Sequence, residues 1–279
     1  MRTTLRALLF TIATLACLAL WLRAWGALEA RSDPRVREAT IAMPDWPKGA
    51  PPLRVVLISD IHIRSHAMDA TRLERIVRQV DALHPDLVLI AGDFIYGGTK
   101  GNAERFGEAM VVPLSHLRAP LGVVAALGNH DHWTGPETVT QQLTRAGVHV
   151  LDNGAVHAGP LALGVAGDDY TDHTDLPATL AAMRRLRGAR LILTHSPDVA
   201  PKLPADISLL LAGHTHCGQA VIPFYGAPFS VSRYGDRYRC GIIREGARTI
   251  VVTAGLGTSG PALRFNAPPD LWLLTLGPG

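Results

Sequence analysis

LRVVLISDIH, residues 53–62, joins a short apolar run to two metal-ligand side chains, Asp60 and His62. The run is bounded by polar residues and too short for a buried helix, so it reads as a buried strand that delivers a carboxylate and an imidazole at its end. The construction recurs downstream: LVLIAGD (87–93), VVAALGNHD (123–131), LILTH (191–195) and LLLAGHTH (209–216). Strand ends in an open sheet converge on one rim, so ligands placed at several such ends make a site.

Between these runs lie helical patterns. Over 69–83, Leu73, Ile76, Val77, Val80 and Leu83 fall at helical spacing behind Asp69 as N-cap. Further helices are expected at 103–117 and at 136–146, where Pro136 suits a first turn. After residue 147 short strands dominate, at 148–151, 155–158, 161–166, 190–194, 207–212, 219–222, 249–254 and 271–276. One helix at 176–187 interrupts them. Alternating β-α units followed by a strand-rich half predict an α/β fold with two sheets packed face to face and helices outside.

The 279 residues are 47% hydrophobic and 18% charged, enough to bury a substantial core in one large domain. A net charge of +3, with no basic stripe interleaved with aromatics, argues against nucleic acid as partner. Cys17, Cys217 and Cys240 make no disulfide framework and no C-x-x-C motif; a Cys217–Cys240 bridge is allowed but not required. Residues 7–22 carry no charge and approach the ~20 residues that span a bilayer, with Arg6 and Arg23 able to snorkel and Trp21 and Trp25 at one end. An uncleaved single-pass anchor over 1–28 fits this better than a cleaved signal segment, whose small-residue cleavage site is poorly formed here. Residues 29–52, ending MPDWPKGAPP, read as a linker or an edge strand, and 53–279 as the catalytic domain. Arg23, Arg31, Arg35 and Arg37 after the apolar segment outnumber Arg2 and Arg6 before it, which leans the domain toward the cytoplasm.

Carboxylate, imidazole and amide ligands together suit a pair of divalent ions and metal-assisted hydrolysis of a phosphate ester. Asp60 and His62 are two apart and, on an extended strand, would face the same side. Asp93, with two carboxylate oxygens, is the best bridge between two cations. Asn129 offers a neutral oxygen; His195, His214 and His216 offer imidazole nitrogen. Two such ions would clamp the phosphoryl group and turn a bridging water into an in-line hydroxide nucleophile. His130 is then best used to protonate the leaving oxygen, with Asp131 orienting its ring. Mixed nitrogen and oxygen ligands suit Mn²⁺ first, with Fe or Zn²⁺ as alternatives.

A lone Gly-Asp or Asp-x-His occurs by chance, but the ordered series Asp60/His62, Asp93, Gly128-Asn129-His130-Asp131, His195 and Gly213-His214-Thr215-His216 resembles the signature of the calcineurin-like metallophosphoesterases. Thr194-His195-Ser196-Pro197-Asp198, Gln219 and Gly257-Thr258-Ser259-Gly260 resemble its bacterial membrane-associated phosphodiesterase branch. The resemblance implies an αββα sandwich. It implies one metal held by Asp60, His62, Asp93 and His216, a second held by Asp93, Asn129, His195 and His214, and His130 as acid near the phosphate. Cys217 stands where the family usually has glycine and is read as a bland small residue.

With the anchor, the resemblance implies an enzyme of the bacterial inner membrane cleaving a phosphodiester or pyrophosphate bond in a lipid-linked substrate such as UDP-2,3-diacylglucosamine. The alternatives are a phosphomonoesterase or cyclic-nucleotide phosphodiesterase with a soluble substrate, or a non-catalytic metal-binding scaffold. Phe224, Tyr225 and Phe229 offer an acyl groove, a lid or simply a packed loop. His132 is expected to line the entrance, Asp168-Asp169 to form a turn, and Arg264 to be a surface residue unless it pairs with substrate phosphate.

Overall fold

The structure, a computed structural model, describes residues 2–279, without the Arg2 side chain; Met1 and its amine, part of the expected anchor and its charge count, lie outside the described residues. The chain runs α1 (Arg2–Arg31), β1 (Arg35–Met43), β2 (Leu53–Ile58), α2 (Ala70–Asp81), β3 (Leu87–Ala91), α3 (Asn102–Phe106), α4 (Glu108–Ser115), β4 (Val123–Ala126), α5 (Asn129–Thr134) and α6 (Pro136–Arg145). It continues through β5 (His149–Val150), β6 (Gly154–Ala158), β7 (Leu161–Val165), α7 (Leu176–Met183), β8 (Ala189–Leu193), β9 (Leu209–Ala212), β10 (Gly241–Glu245), β11 (Arg248–Val252) and β12 (Asp270–Pro278).

The strands form two six-stranded sheets, ordered β1-β12-β2-β3-β4-β5 and β10-β11-β9-β8-β7-β6. Strands β2 to β5 run parallel, as do β7, β8, β9 and β11; β12 against β2, and the edge strands β6 and β10, are antiparallel. Alternation along single strands explains the unbroken apolar runs. In β2, Val55 and Leu57 join Leu89, Leu163, Leu191, Leu211 and Val251 in the layer between the sheets. Val56 and Ile58 point the other way, onto Ile76, Val80, Leu114 and Leu143 of α2, α4 and α6. Ile192, Leu210 and Ile250 do the same in the second sheet, beneath Met183 of α7. The layers are helix, sheet, sheet and helix, as the sequence pattern and the resemblance implied.

Several expectations are refined. Asp69 caps α2 by accepting from the Arg72 amide at 2.8 Å. Residues 29–52 take the edge-strand alternative: β1 pairs in parallel with β12 along its whole length, so much of the segment belongs to the sheet and is not a free linker. The helix expected at 103–117 is two, broken at Gly107, where a Cβ would collide with the Gln142 side chain. The strand expected at 219–222 reduces to single bridges, Ala220 with Phe265 and Ile222 with Gly226. Cys217 and Cys240 are bridged as a disulfide, with Cα atoms 4.7 Å apart. Among the described residues one helix, Thr3–Arg31, is long and apolar enough to cross a membrane.

The layer between the sheets sets a stability test. Leu57→Ala and Leu191→Ala, each at a fully buried site, should cost about 2–5 kcal/mol in urea unfolding. Val112→Ala, on the exposed face of α4, should stay within about 0.5 kcal/mol.

Candidate metal centre

Asp60, Asp93, Asn129, His195 and His214 each follow the carboxyl end of a parallel strand: β2, β3 and β4 in one sheet, β8 and β9 in the other. The two sheets therefore present their ligands along one rim. Beyond the strands the backbone turns sharply. Asp60, His62, Asp93, His214 and His216 have φ of 51°, 48°, 59°, 69° and 49°, in the left-handed region that non-glycine residues rarely occupy. Asp60 and His62 thus do not share a side through strand alternation, because β2 has ended at Ile58; the local turn brings them together. Loop pairing holds that turn, with the Asp60 amide donating to Gly92 O at 2.9 Å and the His62 amide to Asp93 O at 3.0 Å. Gly92 itself has φ of 81°, and a Cβ there would lie 2.6 Å from the Gly128 nitrogen. The site needs glycine at that crossing.

The side chains gather into two groups that meet at Asp93. His62 Nε2 lies 3.2 Å from His216 Nε2 and 3.6 Å from Asp93 Oδ2. His216 Nε2 lies 3.4 Å from Asp60 Oδ1. In the other group, His195 Nε2 is 3.1 Å from Asn129 Oδ1, 3.1 Å from His214 Nδ1 and 3.3 Å from Asp93 Oδ2. His195 Nδ1 donates to the Ala91 carbonyl at 2.6 Å, which leaves Nε2 turned to the site. The candidate ligand atoms therefore converge in two groups. Nitrogen and oxygen ligands held at about 2.0–2.2 Å from one cation sit about 3.0–3.5 Å apart, so these separations fit divalent ions. Asp60 Oδ1 is buried without a hydrogen-bond partner, an acceptor that a cation would satisfy. Asp60–His62–His216 and Asp60–Asp93–His195 are both groupings of donor atoms compact enough to hold a metal, and His130 approaches a third with His62 and Asp93.

The electrostatics agree. Burial pushes His62 and His214 down to about 3 and His216 well below the ordinary imidazole range, so these three are neutral, as ligands must be. Burial would lower His195 too, but Asp93 beside it raises it well above that range, and a bound cation would displace its proton. Burial, with Asp93 adding to it, pushes Asp60 up to about 6. Burial would also raise Asp93, but the His195 and His130 charges outweigh it and hold the carboxyl well below its usual range.

Asp131 does not orient His130, and that expectation is corrected. Its carboxylate is fully buried and accepts the backbone N–H groups of Asp93 (2.9 Å), Phe94 (2.8 Å), Ile95 (3.2 Å) and Gly128 (2.9 Å). It ties the loop after β3 to the loop after β4. His130 Nδ1 faces the Gly97 carbonyl instead. The half-buried imidazole packs edge-on against His62, ring centres 4.7 Å apart, and lines the cleft over the metal-binding groups. Arg264 is neither at the surface nor beside a substrate phosphate. It is fully buried and donates to the carbonyls of Ala254, Gly257 and Ala267, bracing the segment behind His216, where burial lowers it to about 10. Asp168 does form the expected turn, accepting from Thr171 N and Oγ1. His132 stacks on His173 at 3.8 Å. Cys217 offers no thiol to the rim.

Sequence reasoning did not single out Trp133 and Tyr170, which flank the cleft. Tyr170 packs on His214 at 4.6 Å and Trp133 on His130 at 5.0 Å. Trp133 lies one helical turn beyond Asn129, a spacing that could have pointed to it; Tyr170 is brought in by the fold alone.

A rim of buried carboxylate and imidazole pairs on an αββα sandwich defines a metal-dependent phosphoesterase. The chain belongs to the calcineurin-like phosphoesterase family, whose profile matches residues 53–218. It is 30% identical to the uncharacterized metallophosphoesterase YkuE of Bacillus subtilis, over 86% of this chain and 84% of that protein. It is 32% identical to phosphodiesterase YaeI of Escherichia coli, over 81% and 83%. A transmembrane protein with metallophosphoesterase domain from Danio rerio is 30% identical over 91% of this chain and 60% of its own length. The family uses divalent metals in a dinuclear site, and the present groupings are suited to one.

Two predictions follow from this geometry. Asp131→Ala should strip the centre of metal and lower the melting temperature together, read by metal analysis and thermal unfolding; normal metal content with lost activity would instead restore Asp131 to His130. The second concerns pH without metal. The unfolded chain protonates His62, His214 and His216 near their ordinary pKa of ~6.5, which the folded chain refuses. Their contribution to stability is present above that pH and falls away as pH drops. Asp60, pushed up to about 6, Asp131, pushed up to about 7, and His195, raised well above the ordinary imidazole value, hold protons in the folded chain and oppose it. The His195 effect is complete below the unfolded imidazole pKa, whereas the three lowered imidazoles go on losing stability, so chelator-treated protein should melt at a lower temperature at about pH 4 than at about pH 7. A level or rising profile would overturn the protonation states assigned here.

Proposed function

We propose that this chain hydrolyses a phosphodiester or pyrophosphate bond in a lipid-linked substrate at a membrane. Asp60, His62, Asp93 and His216 would hold one divalent ion, and Asp93, Asn129, His195 and His214 the other. Mn²⁺ suits this mixed donor set, with Fe or Zn²⁺ as alternatives. The observation that carries the reading is the shared Asp93 Oδ2, within reach of His62 on one side and His195 on the other. Bound there, the metals supply a water made nucleophilic near neutral pH and positive charge for the phosphoryl oxygens.

The chain's own residues do the rest. Asp131 keeps Asp93 in register through the two loops it bridges. His130, fixed through Nδ1 by Gly97, turns Nε2 to the cleft and delivers a proton to the departing oxygen. Trp133 and Tyr170 wall the cleft and limit water. The phosphodiester preference draws on the likeness to phosphodiesterase YaeI. The membrane setting draws on α1, which we read as a single-pass anchor in a bacterial inner membrane.

The side of the membrane is revised. The arginine count favoured the cytoplasm, but the Cys217–Cys240 bridge suits an oxidising compartment. We therefore place the catalytic domain on the outer face. This placement keeps a lipid phosphodiester or pyrophosphate without a nucleotide beside UDP-2,3-diacylglucosamine among the candidate substrates.

Purified protein with Mn²⁺ should hydrolyse bis(p-nitrophenyl) phosphate, and Asp93→Asn should abolish the reaction; activity surviving both that substitution and a chelator would sink the two-metal reading. His130→Ala should keep its metal. It should lose rate modestly on p-nitrophenyl esters, whose leaving anion needs little protonation, and by about 10²–10⁴-fold on alkyl esters. A panel of UDP-diacylglucosamine, a nucleotide-free lipid phosphodiester, a monoester and a cyclic nucleotide ranks the substrates.

A further inference from the structure

Residues 217–232 (CGQAVIPFYGAPFSVS) carry no charged side chain. In the structure this stretch leaves the last metal-ligand motif and forms a loop at the surface. Its aromatics are not packed under the domain: Phe224 is 111% exposed, Tyr225 75% and Phe229 80%. The packed-loop alternative is thus set aside for these side chains. An apolar tip of this kind on a soluble face marks an interaction surface.

What covers it follows from where the loop starts. Its base is paired to Phe265, with the Val221 amide donating to Phe265 O at 2.8 Å and the Phe265 amide to Gln219 O at 3.0 Å. The other side of Phe265 receives α1. Trp25 meets its ring edge-on at 5.7 Å, and Gly26 lets the helix approach so closely that a Cβ would lie 2.5 Å from the ring. The Arg264 amide donates to Gly26 O at 3.0 Å, and Arg72 donates to Ser32 O at 2.8 Å, just past the end of the helix. Helix α1 is exposed up to Trp25 and docked from Gly26 onward. The point where it leaves the domain is therefore the point from which the uncharged loop springs. Tyr, Trp and Phe prefer the boundary between head groups and hydrocarbon.

We propose that the loop 222–231 is a second membrane contact, inserting Phe224, Tyr225 and Phe229 into the interface of the bilayer that α1 crosses. The proposal rests on reading α1 as the anchor. Beneath the loop lies an apolar cleft of about 390 Å³, lined by Phe229, Leu263 and Phe265 and reaching His216. It shares His216, Val231 and Ser259 with the cleft over the metal-binding residues. Seating the loop in lipid opens a path from the bilayer to the metal centre that keeps hydrocarbon out of water.

The test uses the full chain in a Cys17→Ser background, reconstituted in vesicles of phosphatidylethanolamine and phosphatidylglycerol. A fluorophore is placed at Phe224→Cys or, as control, at Arg185→Cys, an exposed position just before β8 at the opposite end of the strands. Expected is loss of emission at 224 with a lipid-borne nitroxide and protection from aqueous iodide, with the reverse at 185. If α1 retains the protein in the membrane but 224 is quenched by iodide and not by lipid, the loop proposal falls and the anchor reading stands. Protection of 224 from both quenchers would mean that protein, such as a second copy, covers the tip, and also overturns it. Release of the whole protein by an alkaline carbonate wash would overturn the anchor reading and the proposal together. None of these readouts depends on hydrolysis, so the catalytic assignment is tested separately.

Discussion

The Asp131 carboxylate is the constraint from which the rest of the centre hangs. It accepts backbone N–H groups from the loop after β3 and from the loop after β4, and so fixes two strand ends against each other. One of those amides belongs to Asp93, whose own carboxylate accepts the His130 amide at 2.9 Å. A single buried acid thus sets the position of the shared metal-ligand candidate and of the proton donor proposed here. Burial and the nearby Asp93 push its carboxyl up to about 7, while the N–H groups it accepts pull the other way and stand in for water.

Around that anchor point the protein stores unfavourable terms that a metal would relieve. Asp60, His62, Asp93, His214 and His216 sit in a sparsely populated backbone region, and such conformations persist where surrounding packing over-determines them. Asp60 Oδ1 is buried without a hydrogen-bond partner, and imidazole nitrogens are crowded to little more than 3 Å apart. None of this favours the metal-free fold. The apolar layers on both faces of each sheet supply the stability that carries it.

The domain is also tied to α1 in a way that bears on function. Arg72, buried in α2, donates to Ser32 O and to Leu256 O, and Arg264 braces Ala254, Gly257 and Ala267. Two buried guanidinium groups, directed mainly at carbonyls, with Arg264 also donating to His216 Nδ1 at 3.3 Å, join the end of the apolar helix to the loops behind His216. The helix and the centre are thereby held in one orientation, which is what a membrane-bound substrate would require.

The strand runs, the Asp69 cap and the ligand-bearing clusters were legible in the sequence because each depends on local chemistry: periodicity, short polar caps, and ligand atoms placed directly after apolar runs. The division into two sheets was legible too, from the change of pattern after residue 147. What could not be read were the partners of long-range contacts. Asp131 looked like a companion to its neighbour His130, but its acceptors lie on another loop. Arg264 looked like a surface cation and is buried among carbonyls. The 35–43 stretch becomes an edge strand only because β12 returns to pair with it. Cys217 finds Cys240, and Tyr170 reaches His214, only once the second sheet closes. The sequence by itself determined which chemistry the chain carries and on which strand ends it sits. Only the tertiary structure decided which atoms face one another, because hydrogen bonds and packing across the sheets are made by residues far apart along the chain.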